Sequence, residues 1–321
     1  MFHSTLQQLR LFESVARHLS YTRASEEVHL SQPAVSIQVK RLEEHVGTPL
    51  FEKMGKRLFL TPAGEELYSA CQEIFQRLEL VATRLDELRG EIAGPLRIGV
   101  VTTAKYILPH LLGPFLQQHP KIHPQLKVSN RARIQERLDD NKDDFYLFGT
   151  PVEGRDVEDH PFLDDQLVLF ASPHHPLANK PNLPLDALAG ERFLFREEGS
   201  GIRKTLEHLL KDNGLDIVPW MTLGSGEAIK QAAMAGLGIG MLSIQSLRLE
   251  LEHGLLVPLA VQGLPIQRQW RIVHARGKQL SPATRAFIEF VLSNASALLP
   301  CCDQKKGGPP LSQDVEKNCQ T

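Results

Sequence analysis

Two kinds of polar grouping stand out by residue type and spacing. The first is Gln32, Pro33, Ser36, Ile37 and Lys40, which share one face if residues 31–46 are helical. Gln and Ser side chains can hydrogen-bond base edges, and a small apolar group can meet a thymine methyl. An ordinary surface helix usually carries Glu and Lys there; the competing reading is such a helix, with its polar positions solvated. The second grouping is three loops rich in hydroxyls and glycine: Thr102, Thr103 and Lys105; Gly199-Ser200-Gly201-Ile202-Arg203; and Gly224-Ser225-Gly226-Glu227. Each follows a strand-like run, and the last two open helices. Free N–H groups at helix starts, hydroxyls, and charge from Lys105 or Arg203 suit a carboxylate or phosphate. Taken singly, each loop reads as readily as a plain helix cap. Three together point to one anion-binding cleft off the carboxyl ends of strands.

The elements that must hold the first grouping follow from local rules. Ser31 caps the helix, Pro33 falls in its first turn, and Val35, Val39, Leu42 and Val46 form the stripe that must be packed. Leu6, Leu9, Phe12, Val15, Ala16 and Leu19 mark an amphipathic helix before it. Ser20 or Thr22 caps a short second helix carrying Ala24 and Val28, and His29-Leu30 leaves only a brief turn. Three helices with a tight joint between the last two form a helix-turn-helix. Phe51 to Leu60, two short runs around Gly55, predicts a hairpin or wing on which Lys53, Lys56 and Arg57 would meet phosphates or the minor groove.

From Thr61-Pro62 a new helix starts, with acids in its first turns. Leu67, Cys71, Ile74, Leu78, Val81, Leu85 and Leu88 then alternate by four and three, the 3.5-residue period of a coiled-coil seam. A helix packed only on its own domain would show a wider apolar face. Pairing two chains through this seam sets two reading helices for successive half-sites. Gly90 to Pro95 reads as a hinge. Beyond it, strand-like runs alternate with helices in two sets. The first is 96–101, 106–118, 125–129, 131–141 and 145–149; the second is 166–171, 192–195, 202–213, 221–223, 228–235 and 237–242. Runs at 269–274 and 282–299 return to the first set. This alternation predicts α/β lobes with mostly parallel sheets.

With 321 residues, 42% hydrophobic and 23% charged, the chain has room for two or three packed domains. A net charge of −2 gives no global attraction to DNA, so binding rests on local Lys and Arg, doubled by dimerisation. No leader-like start and no run of about 18 apolar residues occurs, so the expected location is cytoplasmic, with no membrane partner. Cys301, Cys302 and Cys319 crowd a tail without zinc spacing and Cys71 sits on a helix stripe, which favours a reducing compartment. HExxH, GxSxG, GxGxxG and Walker patterns are absent, so no catalytic residue, metal site or cofactor is assigned. His174-His175 reads as a turn, and Asp139-Asp140 and Asp143-Asp144 as solvated charges.

The stretch LSQPAVSIQVKRLEEHVGTPLFEK followed by RLFLTPAGEEL, within residues 6–67, closely resembles the winged helix-turn-helix of LysR-type transcriptional regulators. That resemblance implies that Gln32, Pro33 and Ser36 read bases, with Ile37 and Lys40 beside them and Lys53 as the wing contact. Ile37 is then the candidate for operator discrimination. The later loops resemble the family's periplasmic-binding-protein-like effector domain. Within the family, TTAKYILPHLLGPF, Ser129 to Arg131 and DDFYLFGTPVEG are most like the CbbR group, regulators of carbon-fixation (RuBisCO) operons. By position, Thr102, Thr103, Asn130, Thr150, Ser200 and Gly201 correspond to the family's inducer contacts. Thr102, Ser129 and Ile202 depart from the pattern, where Ser, Gly and a hydroxyl residue are usual.

The expected architecture is an all-α winged helix-turn-helix (1–60), a linker and dimerisation helix (61–90), a two-lobed α/β effector domain (91–300) and a disordered tail (301–321). Lobe I comprises about 91–161 and 267–300, and lobe II about 162–266. The expected function is an effector-controlled transcriptional regulator, not an enzyme, acting as a dimer or dimer of dimers on operator DNA with RNA polymerase. Its effector would be a small anion such as a phosphorylated sugar, phosphoenolpyruvate or NADPH. The alternatives are a LysR-type regulator of another operon and, from a different class, a small-molecule-binding protein or α/β enzyme.

Overall fold

The computed structural model describes residues 4–55, 57–87 and 92–299. The chain divides into two compact units, residues 1–89 and 90–321. The first contains α1 (Leu6–His18), α2 (Tyr21–Glu27), α3 (Gln32–Val46), β1 (Phe51–Met54), β2 (Arg57–Leu60) and α4 (Pro62–Glu87). Local chemistry sets each boundary. Thr5 and Gln8 form a reciprocal capping box on α1. Ser20 and Ser31 accept from the third N–H beyond them at the starts of α2 and α3. His29 takes a left-handed conformation, φ 54°, in the tight joint between those helices. Leu11, Phe12, Val15, Ala24, Val35, Val39 and Leu42 close one core against Leu50 and Phe51 at the wing's base. There α4 comes so near that a Cβ on Gly64 would lie 2.0 Å from the Leu50 carbonyl oxygen, so only glycine fits.

The heptad seam divides along α4. Leu67 packs against this same core and Cys71 lies inside it, so these two serve their own bundle and not an outer seam. The N-terminal turns of α4 are in contact with α1, and the apolar repeat satisfies that contact before it runs free. Burial pushes the Cys71 thiol up to about 12. The remaining seam residues Ile74, Leu78, Val81 and Leu85 are 40–54% exposed. Leu88, Lys56 and the tail from Cys301 lie outside the described residues.

The second unit is organised on one nine-stranded sheet, in the order β4-β3-β5-β11-β6-β9-β7-β8 with β10 beside β6. Its elements in chain order are β3 (Gly94–Val101), α5 (Leu108–Gln118), β4 (Ile122–Ser129), α6 (Arg131–Asp139), β5 (Phe145–Phe148) and β6 (Val157–Ala171). Then come β7 (Phe193–Arg196), α7 (Gly201–Asp212), β8 (Met221–Leu223), α8 (Gly226–Met234), β9 (Ile239–Ser243), α9 (Ile244–Glu252), β10 (Val257–Pro258), β11 (Ile266–Ala275) and α10 (Pro282–Leu298). The outer pairs β3–β4, β3–β5, β7–β8 and β7–β9 are parallel as expected. The middle is not: β6 and β11 are long antiparallel strands, with further antiparallel pairing to β9 and β5. The two expected sets are thus lobes of one sheet sharing two continuous strands.

Each lobe has its own core. Lobe I packs Ile98, Phe115, Phe145, Trp270 and Phe287, and lobe II packs Leu169, Phe193, Phe195, Leu206 and Met241. Leu163 belongs to the first core and Leu167 to the second, so β6 crosses at 164–166, a few residues past the expected boundary. Neither core covers that waist, and its polar residues pair across strands: Arg268 Nε donates to Asp165 at 2.7 Å and Gln269 to Asp164 at 2.9 Å. Gly94 and Pro95, expected in a hinge, begin β3 and pair with β4. Asp139 and Asp140 are exposed, as read from the sequence. Asp143 is buried instead, gripped by Arg137 at 2.6 and 2.7 Å. Asp144 accepts the Arg97 N–H at 2.7 Å, and burial raises its pKa. His174-His175 does lie in a turn after β6.

Candidate functional site

On the first unit, Gln32, Pro33, Ile37 and Lys40 are exposed on α3 and Ser36 is half-buried, opposite the buried Val35, Val39 and Leu42. Ile37 is 54% exposed. Lys53 and Arg57 lie exposed on β1 and β2, where Lys53 faces Leu58 in the register. Among the described residues, the Gln32, Ser36, Lys40 and Lys53 side chains have no hydrogen-bond or ion-pair partner. They are free to meet an external ligand.

On the second unit, the carboxyl ends of β3, β4, β5 and β7 meet at a cleft between the lobes. It is lined by Thr102, Thr103, Asn130, Thr150, Ser200 and Gly201, together with Arg131, Arg196 and Arg268. Thr102 and Thr103 lie in a 3-10 turn directly after β3. Asn130 caps α6 by accepting from Arg133 N–H at 3.0 Å, and Ser200 caps α7 by accepting from Arg203 N–H. Both helix starts therefore open onto the cleft, with their positive dipole ends toward it.

The lobes are drawn together across the cleft. Arg196 Nη2 donates to Thr102 Oγ1 at 3.1 Å, Ala132 N–H to the Gly199 carbonyl at 3.1 Å, and Asn130 Nδ2 to the Glu198 carbonyl at 3.4 Å. A Cβ on Gly201 would stand 3.0 Å from Arg131 Cδ. The cavity left is about 30 Å³, enough for water but not for a metabolite.

The three arginines differ in how their charge is met. Arg196 is held by both Glu197 oxygens at 2.7 and 2.8 Å, and Arg268 by Asp165. Arg268 Nη2 lies 2.7 Å from the same Asp165 oxygen but off the hydrogen-bond line, so this buried nitrogen has no hydrogen-bond partner. Arg131 donates to the Thr150 carbonyl and hydroxyl and to the Pro151 carbonyl, all neutral, and lies over the Phe148 ring. Burial lowers its pKa; Glu153 opposes this, while Arg155 and Arg268 reinforce it. The cleft thus holds one cation without a carboxylate against it, plus an underused guanidinium nitrogen.

Two residues expected here are elsewhere. Lys105 is exposed with its ammonium over Tyr106, and Arg203 pairs with Glu207 beside Phe195. Both side chains follow their helical turns away from the lining. The loop at 224–227 is also outside it: Ser225 caps α8, and Glu227 receives the Tyr106 hydroxyl at 3.1 Å. The sequence reading missed Arg131, Arg196 and Arg268. Arg131 and Arg196 adjoin assigned loops, a usable signal, whereas Arg268 comes from β11, far along the chain.

Residues 6–65 match the family described as bacterial regulatory helix-turn-helix protein, lysR family, and residues 89–296 match the LysR substrate binding domain. The chain belongs to the LysR family. Its members are transcriptional regulators, not enzymes. Among LysR relatives, this chain is 46% identical to the RuBisCO operon transcriptional regulator of Allochromatium vinosum, over 92% of this chain and 98% of that one. The regulatory domain of CcmR from Synechocystis PCC6803, solved in complex with 2-PG, is 42% identical with a TM-score of 0.61, covering 63% of this chain and 97% of that one. Full-length CbnR, solved with its target DNA, shares the LysR fold at 20% identity with a TM-score of 0.64, over 89% of this chain and 98% of that one. Among the described residues no helix is long and apolar enough to cross a membrane.

Proposed function

We propose that this LysR-family protein is a cytoplasmic regulator of a carbon-fixation operon whose effector is a small phosphorylated anion bound in the lobe cleft. The observation that carries the effector class is Arg131, a half-buried guanidinium bonded only to neutral oxygens. Around it, Thr102, Thr103, Asn130, Thr150, Ser200 and Gly201 supply hydroxyls, an amide and backbone donors. Phosphate oxygens can collect these together with Arg268 Nη2. The 2-PG complex of a 42% identical domain and the RuBisCO-operon relatives support this choice over other metabolic operons.

The remaining parts follow. Gln32, Pro33, Ser36 and Ile37 read an operator, Lys40 and Lys53 meet its backbone, and the exposed stripe of Ile74, Leu78, Val81 and Leu85 pairs two copies. Dimers then associate in pairs on DNA. Effector binding parts and resets the lobes, which changes how dimers are set, how the DNA bends and how RNA polymerase reaches the promoter.

The test is a footprint on DNA upstream of the gene, with and without 2-phosphoglycolate, ribulose 1,5-bisphosphate, phosphoenolpyruvate and NADPH. The expected result is a protected, partly palindromic site whose extent changes with one phosphorylated metabolite. Specific binding indifferent to all four removes the effector assignment, and no specific binding at low salt removes the operator assignment.

A further inference from the structure

At the lobe I end of the β6–β11 pair, three ligand-type side chains share one face. Glu158 stands opposite His274, and His160 opposite Ile272; positions two apart on a strand point the same way. One donor atom from each of Glu158, His160 and His274 lies within 4.8 Å of the other two. The two imidazoles are 5.7 Å apart between centroids. His274 is 3% exposed, and its Nδ1 lies 3.1 Å from the Ala275 carbonyl oxygen. A carbonyl can only accept, so Nδ1–H donates to it and Nε2 is the ring nitrogen left for a ligand. Nε2 lies 3.8 Å from Glu158 Oε2. At that spacing neither atom is closed off by a hydrogen bond to the other, and a cation can sit between them.

The neighbouring arginines are bonded elsewhere, although Arg276 also feels the Glu158 charge. Arg276 donates to Asp156 and to the Val157 carbonyl, and Arg271 is bonded to Asp159, which points to the other face of β6. We infer that Glu158, His160 and His274 form a binding site for a divalent cation of the zinc class. Two imidazoles and one carboxylate suit Zn²⁺ or Co²⁺ and disfavour Mg²⁺ and Ca²⁺, which prefer all-oxygen sets. His274 is the fixed ligand, its ring oriented by the carbonyl behind it, as outer partners of metal-bound histidines commonly do. Glu158 and His160 are half-buried and free to swing inward to the donor spacing of about 3.3 Å in tetrahedral zinc. The fourth position faces solvent and takes water. A bound ion fastens β6 to β11 at one end of the strands the lobes share, independently of any effector.

The test uses the full chain carrying Cys301→Ser, Cys302→Ser and Cys319→Ser, stripped with EDTA and titrated with Zn²⁺ by calorimetry and with Co²⁺ by visible absorption. The expected result is one equivalent per chain, a rise in the thermal midpoint with metal, and affinity at least about tenfold lower in His160→Gln and in Glu158→Gln. Equal metal-free midpoints in parent and variants establish that the variants fold. As an independent reading, Zn²⁺ protects His160 of the unsubstituted chain from diethylpyrocarbonate. Uptake that is unchanged in both variants, or absence of protection at His160, overturns the site.

Discussion

Gln32, Ser36, Lys40 and Lys53 have no partners within their own described unit, whereas almost every polar group in the cleft is already bonded to another. Arg196 holds Glu197 and Thr102, Arg268 holds Asp165, and Asn130 and Ser200 cap helices. The difference teaches where each region's free energy goes. A reading face keeps its donors solvated until DNA replaces the water, so its residues cost the fold little. A buried cleft must neutralise its own charges to exist at all, and its residues are structural before they are functional.

Substitutions can break that comparison. Asp165 is buried and accepts from both Ser243 Oγ at 2.8 Å and Arg268. Asp165→Asn leaves a buried guanidinium without a counter-charge and should cost about 3–5 kcal/mol of stability, read from denaturant unfolding of the full chain. A loss below about 1 kcal/mol would mean that the waist is wetter than its burial implies. Arg131→Met should act on the ligand more than on the fold, because its present partners are neutral and its ring contact survives. Effector affinity should fall by about 1.5–3 kcal/mol for each charge-assisted bond lost, measured by calorimetry with 2-phosphoglycolate; an equal drop in unfolding free energy makes Arg131 structural.

On the reading face, Gln32→Ala or Ser36→Ala should weaken specific operator binding by about 1–3 kcal/mol while the melting temperature stays put. The same loss on random DNA removes base reading from these residues. Lys53→Ala should lower the slope of log affinity against log salt by about 1, and an unchanged slope takes the wing off the phosphates. The smallest effect is expected at Glu27 in the first unit. Arg17, bonded at 2.6 Å, and then His18 hold its carboxyl down to about 2. A depressed carboxyl contributes stability that is complete above its unfolded value of about 4.3 and fades as pH falls toward 2. Glu27→Gln should therefore flatten the acid limb of the pH–stability curve below about pH 4.3; an unaltered limb shows that solvent screens the pair fully.

The same comparison explains what could be read from the sequence. Ser31, Pro33 and the Val35–Val39–Leu42 stripe are contiguous, and a cap plus a 3.6 period leaves little choice of structure or of outward face. The cleft hydroxyls were also legible, since each follows its own strand. The arginines were not, because which cation reaches the cleft depends on strand order. Lys105 and Arg203 are near in sequence and point away, while Arg268 arrives on β11. The first half of β6, VEDHPFLDD, carries charges that mask a strand; only its pairing with Arg268, Gln269 and Arg271 makes those charges bearable. Asp143 and Asp144 misled for the same reason, their partners Arg137 and Arg97 being invisible to local pattern. The α9 helix also escaped notice, as a short segment without a distinctive cap.

The β6–β11 ladder, which runs through both lobes with one register shift between Trp270 and Arg271, limits what the lobes can do to each other. A flexible linker would let them swing through a wide arc at almost no energy, but two hydrogen-bonded strands passing through both lobes behave as a torsion bar. Motion is confined to twist and slight flexure about the waist, and any displacement meets an elastic restoring force. A ligand in the cleft therefore loads a spring, and the stiffness at the waist, around Asp165 and Arg268, sets how far a given binding energy can turn one lobe against the other.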